Sequence, residues 1–211
     1  DESALRRGKV SANLVWGNKP SVLVGDYLFS RAFQLMVETG NLAVLGILSG
    51  ASAVIAEGEV MQLGSARSLA VTEEHYMKVV SAKTAALFAA AAEGGAVLAA
   101  RDSDFIASMR AYGENLGIAF QLVDDALDYS GRQALMGKSV GDDFREAKMT
   151  VPIILSVARA DETARAFWQR VIETGNQTET DLHHAISLVE QTGSIQETMR
   201  RARAYAARRR P

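Results

Sequence analysis

Three aspartates lie close together past the middle of this 211-residue chain. On an α-helix, which turns by about 100° per residue, the side chains of Asp124, Asp125 and Asp128 share one stripe with Gln121. Carboxylates this close raise one another's pKa and destabilise the fold unless a cation compensates. Oxygen ligands suit Mg²⁺, which typically joins one or two carboxylates to the phosphates of a substrate. The stripe therefore predicts a magnesium–phosphate site; the alternative is a solvated acidic helix face.

Positively charged residues that would bind phosphate recur around these aspartates. Arginine matches phosphate oxygens in two-point contacts, and lysine acts as a mobile point charge. Lys83 and Thr84 interrupt an alanine-rich stretch, where a lone lysine is unusual. Taken singly, each candidate also fits an ordinary surface charge. The others lie near the start of the chain or in the glycine-bearing segment after the aspartates: Arg6, Arg7, Lys138, Arg145 and Lys148.

Helices must position both sets, because the chain has only three prolines and little alternation of β-branched residues. We predict an all-α fold, as a single domain over residues 1–211. The charged segment 130–150, which contains three glycines, is predicted to be a loop or lid. Thr72 and the pair Ser103–Asp104 fit helix N-caps. The predicted helices cover residues 20–38, 41–63, 72–100, 103–129, 150–158, 161–174, 178–191 and 194–208.

The overall composition limits the classes of function. The net charge of -2 at pH 7 argues against a protein that binds nucleic acid. The lack of cysteine excludes disulfides and cysteine-ligated metal sites. Without an unbroken run of eighteen apolar residues or a signal peptide, we expect no membrane span and a cytoplasmic location. The three histidines, His75, His183 and His184, match no metal-ligand pattern and are interpreted as surface residues.

Several motifs in collinear order over residues 1–158 resemble those of the trans-isoprenyl diphosphate synthases. The sequence Gly-Ile-Ala-Phe-Gln-Leu-Val-Asp-Asp-Ala-Leu-Asp-Tyr at 117–129 is similar to the second aspartate-rich motif of that family. Within the family, the chain is most like the long-chain synthases of the octaprenyl or decaprenyl kind, which make quinone side chains. The other matching segments are Asp1–Ser3 with Arg6–Gly8, Leu23–Leu28, Ile55–Leu63, Lys83–Ala85 and Gly137–Pro152.

This resemblance implies an isoprenoid-synthase-type helical bundle around a central apolar cavity, and a Mg²⁺-dependent prenyltransferase. Isopentenyl diphosphate would condense with an allylic diphosphate such as farnesyl diphosphate, by ionisation, condensation and loss of a proton. The product would be a long-chain all-trans polyprenyl diphosphate. Family members are commonly homodimers, and the apolar helices at 41–63 and 72–100 are candidates for the interface. At most, peripheral membrane contact is expected, during release of the lipophilic product.

The resemblance also implies roles for individual residues. Asp124 and Asp128 would bind Mg²⁺ with Asp125 supporting or contacting it, and Asp1 would be the surviving ligand of the first aspartate-rich motif. Thr84 and Gln121 would present oxygen dipoles to the reacting cation. An additional acid near the metal would be Asp143, with Asp142 as the alternative. The diphosphates would be bound by Arg6, Arg7, Lys83, Lys138 and Lys148. Polar roles in the core, rather than catalysis, are expected for Glu57, Glu59 and Gln62.

The chain departs from the family pattern at both ends. The earlier aspartates of the first motif and the upstream segment that binds isopentenyl diphosphate are absent, and residues 200–211 carry six arginines and no acid. We therefore expect a fragment of a longer synthase that lacks N-terminal and C-terminal helices. One alternative is a non-catalytic subunit, or an inactive fragment, of a heteromeric prenyl synthase. The other is a class I terpene cyclase, which shares the ionisation chemistry but carries different metal ligands.

Overall fold

The computed structural model describes residues 5–6, 9–130 and 141–208. This part of the chain begins with one antiparallel pair of two-residue strands, β1 (Leu5–Arg6) and β2 (Lys9–Val10), and is otherwise helical. The predicted all-α fold is confirmed, because this pair of strands is the only sheet among the described residues. The helices are α1 Ala12–Trp16, α2 Asn18–Glu38, α3 Leu42–Gly64, α4 Glu73–Val80, α5 Ala86–Leu98, α6 Ser103–Asp128, α7 Asp142–Arg145, α8 Val151–Ala158, α9 Glu162–Trp168, α10 Asp181–Gln191 and α11 Ser194–Ala206.

The helix boundaries agree with the predicted ones to within three residues, with two additions. The predicted helix at 72–100 is a continuous run in which a π-helical segment, Ser81–Ala85, joins α4 to α5. A second π-helical segment, Gln169–Glu173, extends α9 in the same way. The sequence did not indicate α1, nor the four-residue α7 inside the segment predicted to be a loop. Both are short, and neither carries a full period of apolar residues.

Polar side chains cap the helices that carry the site. The Thr72 side chain accepts a hydrogen bond from the backbone N–H of His75, which confirms the predicted cap of α4. At the start of α6 the cap is Asp102, whose Oδ1 lies 2.8 Å from the backbone nitrogen of Phe105. The cap predicted at Ser103–Asp104 was therefore wrong by one residue. These caps fix where α4 and α6 begin, and therefore which side chains of the two helices face each other.

Helix α6 lies at the centre and packs against α5, α8, α11 and the first π-helical segment. Its approach to α5 depends on glycine. A Cβ atom added at Gly117 would lie 2.6 Å from the Cα of Ala85, and one added at Gly113 would lie 2.3 Å from the carbonyl oxygen of Phe88. No larger residue fits at these distances, so the two helices touch through their backbones. The rest of the core consists of buried apolar side chains in two clusters, one around Trp168 and one around Leu122.

Helices α2 and α3 leave much apolar surface exposed. The one buried residue of α2 is Met36, while Leu23 and Tyr27 are 66% and 67% exposed. Among the described helices, α3 alone is long and apolar enough to cross a membrane, and only 17% of that stretch is buried. The expectation of no membrane span rested on the lack of an unbroken apolar run, since glycine, serine and glutamate interrupt α3. Length and composition of this kind also suit a helix that packs against protein.

Candidate active site

The aspartate stripe of α6 divides into two parts with different surroundings. Asp125 and Asp128 are 1% and 5% exposed, and Asp124 is partly buried. Asp125 faces α4, whereas Asp128 faces the start of α7. The alternative of a solvated acidic face is therefore wrong. The apolar residues of the same stretch also differ in burial, because Ala126 is buried while Phe120 is 55% exposed.

Asp128 is anchored by the backbone of α7. Its Oδ1 and Oδ2 accept hydrogen bonds from the backbone N–H groups of Asp142 and Asp143, at 3.3 and 3.0 Å. Gly141, in the left-handed conformation with φ of 81°, begins α7 and donates its N–H to the carbonyl oxygen of Asp128 at 3.0 Å. A Cβ atom at Gly141 would lie 2.2 Å from the Cδ1 of Leu182. Glycine at this position thus lets α7 turn toward the aspartates.

Negative charge accumulates where these elements meet. Burial, together with the charges of Asp143 and Asp142, raises the pKa of Asp128 from 3.8 to about 7, against the effect of the two backbone N–H groups. Burial also raises the pKa of Asp143, and the charges of Asp124 and Glu146 add to that shift. The charge of Asp143 thus opposes that of Asp128, and the charge of Asp124 opposes that of Asp143; we call Asp124, Asp128 and Asp143 the carboxylate cluster.

Lys148 partly balances the carboxylate cluster. Its Nζ lies 3.4 Å from Oδ1 of Asp143 and 2.5 Å from Oε2 of Glu146. Burial alone would lower the pKa of Lys148, but the charges and hydrogen bonds of these two acids outweigh it and raise the pKa. The lysine is thus held beside the cluster in its charged form.

A second set of hydrogen bonds runs from α4 through α6 to the π-helical segment. The Tyr76 hydroxyl donates to Oδ2 of Asp125, whose Oδ1 accepts from Nε2 of Gln121 at 2.8 Å. Thr84 donates its hydroxyl to Oε1 of Gln121 at 3.0 Å. Thr84, Gln121 and Asp125 were all predicted to be site residues, and they lie in one hydrogen-bonded chain. Tyr76 was not predicted, because a residue 49 positions before its partner gives no local signal in the sequence.

Lys83 extends from the π-helical segment toward α3. Its Nζ lies 2.9 Å from Oε2 of Glu59 and 2.7 Å from Oε1 of Gln62. The polar core roles expected for Glu57 and Glu59 were wrong, because both side chains are exposed. Glu59 and Gln62 instead hold Lys83. π-Helical turns inside α-helices are frequent at functional sites, and here one of them carries both Lys83 and Thr84.

Several other predicted site residues lie outside the described part of the chain or at its edge. Asp1, Arg7 and Lys138 are not among the described residues. Arg6 is described only as part of strand β1. Of the histidines, His183 and His184 are exposed as predicted, but the surface interpretation of His75 was wrong. Its Nε2 is buried without a hydrogen-bond partner in the described residues, and it lines a cavity of about 30 Å³.

The donor chemistry of the carboxylate cluster suits a hard divalent cation. The cluster offers only oxygen atoms, it is largely buried, and its repulsion falls when positive charge is added. In residues 5–6, 9–130 and 141–208, however, no three acidic or histidine side chains lie close enough together to hold a metal ion by themselves. A cation here would take further ligands from water or from a substrate's phosphates, as Mg²⁺ usually does.

Comparisons with known proteins place the chain. The model of the polyprenyl synthetase family matches residues 1–189. Octaprenyl diphosphate synthase of Escherichia coli (strain K12) is 42% identical over 206 residues, which are 98% of this chain and 64% of that protein. The octaprenyl diphosphate synthase of Haemophilus influenzae is 39% identical over 98% of this chain and 62% of its own length. The chain thus spans slightly under two thirds of the length of these two relatives.

Solved structures give the same result. A decaprenyl diphosphate synthase from Rhodobacter capsulatus superposes with a TM-score of 0.89 and 55% identity, over 97% of this chain and 63% of that one. A polyprenyl synthase from Caulobacter crescentus CB15, complexed with calcium and isoprenyl diphosphate, gives a TM-score of 0.94 and 51% identity, over 96% and 62%. The resemblance to trans-isoprenyl diphosphate synthases is confirmed, and the chain belongs to the polyprenyl synthetase family.

Proposed function

We propose that the protein condenses isopentenyl diphosphate with an allylic diphosphate and makes a long-chain all-trans polyprenyl diphosphate, which serves as a precursor of quinone side chains. The observation that carries this proposal is the carboxylate cluster, where Asp124 and Asp128 of α6 lie near Asp143 of α7. Helix α6 also carries Gln121 and Asp125 of the hydrogen-bonded chain that Thr84 extends, so excess negative charge and an array of polar oxygens share this helix in a member of the family.

Asp124 and Asp128 would hold Mg²⁺, with Asp143 beside them. The raised pKa of Asp128 supports this assignment, because a carboxylate that ionises with difficulty gains most from a neighbouring cation. Asp1 would add a ligand from the first aspartate-rich motif. When bound, a divalent cation would neutralise charge that develops on the diphosphate leaving group.

The positively charged residues would bind the diphosphates. Arg6 would contact the allylic diphosphate and Arg7 the isopentenyl diphosphate, while Lys83, Lys138 and Lys148 would hold the allylic one. Lys83 must exchange Glu59 for a phosphate oxygen. This exchange is inexpensive, since the ion pair is one-third to one-half exposed and such pairs contribute about 0–1 kcal/mol.

The proposed reaction has three steps. The bond between the allylic carbon and the diphosphate oxygen breaks, and the electron pair leaves with the diphosphate that the lysines bind. The double bond of isopentenyl diphosphate attacks the allylic cation and forms the new carbon–carbon bond. Oxygen atoms of Thr84 and Gln121 would stabilise that cation by their dipoles. A proton is finally lost from the condensed product to the departed diphosphate, and repetition lengthens the chain.

The long-chain product is favoured over the alternatives by the relatives. Curated relatives that are 38–42% identical to this chain are octaprenyl and nonaprenyl synthases by name, and a solved structure at 55% identity is a decaprenyl synthase. The short-chain and geranylgeranyl synthases among the relatives are less similar, at 35% and 31% identity. A non-catalytic subunit has no support among these relatives. A terpene cyclase would need other ligands on a later helix, where this chain has Asp142 and Asp143.

Assembly and location complete the proposal. We propose a homodimer in the cytoplasm, with at most peripheral membrane contact. The apolar side chains on α2 and α3 support an interface there, whereas the helical run at 72–100, also a candidate, largely packs against α6. Analytical ultracentrifugation of the full-length protein tests this, since a monomer at micromolar concentration contradicts it.

The test of function is direct. The full-length protein is incubated with Mg²⁺, labelled isopentenyl diphosphate and farnesyl diphosphate, and the products are separated by chain length. We expect Mg²⁺-dependent incorporation into products of about eight to ten isoprene units, and none in EDTA. Failure to incorporate label with farnesyl or geranyl diphosphate contradicts the proposed function.

A further inference from the structure

Tyr76 buries a hydroxyl group at the junction of α4 and α6. The residue is 7% exposed and belongs to the apolar cluster around Leu122, which also contains Val80 and Ile118. Its hydroxyl nevertheless points at a carboxylate, Oδ2 of Asp125, on a side chain that is only 1% exposed. A buried tyrosine hydroxyl needs a partner, and a buried carboxylate needs donors, so each group satisfies the other.

The other oxygen of Asp125 fixes the orientation of Gln121. Because a carboxylate only accepts hydrogen bonds, the amide of Gln121 must turn its NH₂ group toward Asp125, as observed at 2.8 Å. The amide oxygen then faces Thr84, whose hydroxyl donates to it at 3.0 Å. The positions of Gln121 and Thr84 therefore depend on Asp125, and that of Asp125 depends on Tyr76.

The surroundings of Asp125 differ from those of Asp128. Asp125 faces a hydroxyl and an amide, both of which donate hydrogen bonds to it. Asp128 instead accepts from the backbone N–H groups of Asp142 and Asp143 at the start of α7. The two carboxylates are thus turned to different elements, Asp125 to side chains of α4 and α6 and Asp128 to the backbone of α7.

We propose that Tyr76 is a positioning residue that acts through Asp125 on Gln121 and Thr84, and that Asp125 serves as a hydrogen-bond acceptor and not as a metal ligand. The kinetic part of this inference rests on the proposed prenyl transfer. Its structural part, the separation of Asp125 from the metal site, does not. Loss of the Tyr76 hydroxyl removes one of the hydrogen bonds that orient Asp125, and with it part of the support for the amide of Gln121.

The first test replaces Tyr76 by phenylalanine in the full-length protein. Tyr112, which lies on α6 and is 56% exposed, provides the matched control. Residues that orient an active group typically contribute about 10-fold to 100-fold in activity. We expect Tyr76→Phe to lower kcat about 10-fold or more, with a smaller change in the KM for the allylic diphosphate, because Thr84 and Gln121 act on the reacting cation, while Tyr112→Phe behaves as wild type. Kinetics of Tyr76→Phe within twofold of wild type overturn the positioning role.

The second test separates hydrogen bonding from metal binding. In Asp125→Asn the remaining oxygen can accept from Gln121, and the new NH₂ group can donate to the Tyr76 hydroxyl, which also accepts. Calorimetric titration with Mg²⁺ alone should therefore give an affinity within about threefold of wild type for Asp125→Asn, and a loss of at least about 10-fold for Asp124→Asn. An equal loss in both variants overturns the assignment of Asp125.

The two readouts also distinguish this inference from the proposed function. If the wild-type protein transfers no prenyl group, the proposed function fails, while the Mg²⁺ titration still decides whether Asp125 is a ligand. If Tyr76→Phe does not fold, as judged by circular dichroism, Asp125→Asn carries the test, because it preserves the buried contacts. We expect Asp125→Asn to keep a kcat near that of the wild type and Asp125→Ala to lose it, and equal defects in both contradict the proposal.

Discussion

The stability of the metal-free protein should fall as pH rises, because of Asp128. This carboxyl group has a pKa of 3.8 when exposed in the unfolded chain and about 7 in the folded protein. The folded state therefore holds a proton that the unfolded state has released, between these two pH values. Because folding raises the pKa of this acid, the group does not lower the free energy of unfolding below pH 3.8. It lowers that free energy progressively as the pH rises from 3.8 to about 7.

The size of the effect follows from the shift. A difference of about three pKa units, at about 1.4 kcal/mol per unit, corresponds to a loss of about 4 kcal/mol in the free energy of unfolding. The Asp128→Asn variant has no carboxyl group to ionise at this position, so its free energy of unfolding does not fall in this way. The asparagine also gives up one of the two backbone hydrogen bonds from α7, but that penalty is the same at every pH.

Urea unfolding of the full-length protein in EDTA, from pH 4 to pH 8, measures the effect for the wild type and for Asp128→Asn. We expect the stability of the wild type to decline relative to the variant by about 4 kcal/mol across this range, and to level off above pH 7. Added Mg²⁺ should restore stability to the wild type above pH 7 and leave the variant unchanged. Parallel profiles for the two proteins would refute the account of Asp128.

Two further substitutions test the parts that surround the carboxylate cluster. Lys83→Ala should raise the KM for the allylic diphosphate about 10-fold, since hydrogen bonds to charged groups contribute about 1.5–3 kcal/mol, and the exposed Lys78→Ala on the same helical run is its control. An unaltered allylic KM would count against a phosphate-binding role for Lys83. Gly141→Ala should destabilise the protein by about 1–2 kcal/mol through its left-handed backbone and weaken Mg²⁺ binding, because a Cβ atom meets Leu182. A Gly141→Ala variant as stable as wild type would contradict this, because α7 would then accommodate the added Cβ atom.

The sequence was informative wherever the signal is local. The spacing of Gln121, Asp124, Asp125 and Asp128 places them on one stripe because the helical period is a property of the backbone alone. The boundaries of α6 and of the run from α4 to α5 follow similarly from caps, alanine content and breakers. The motifs around Lys83 and in residues 137–152 then indicated the family.

The divisions within the site depend on tertiary packing, which the sequence does not display. Asp124, Asp125 and Asp128 are alike in type, and only the approach of α4 turns Asp125 toward Tyr76. The pairing of Lys83 with Glu59 joins residues 24 positions apart on different helices. The short helix α7 forms in a polar segment because Asp128 accepts its first N–H groups, a stabilisation that no local pattern encodes.

Substitution of Asp124 tests most directly whether the carboxylate cluster holds a divalent cation for prenyl transfer. The rate of isopentenyl diphosphate incorporation is measured against Mg²⁺ concentration for the full-length wild type, Asp124→Ala and Asp104→Ala, an exposed aspartate in the first turn of the same helix. We expect Asp124→Ala to fold and to lose at least about 100-fold in turnover, the size usual for a group that stabilises developing charge, and Asp104→Ala to match wild type. Full turnover by Asp124→Ala, at the same Mg²⁺ dependence, would contradict the account.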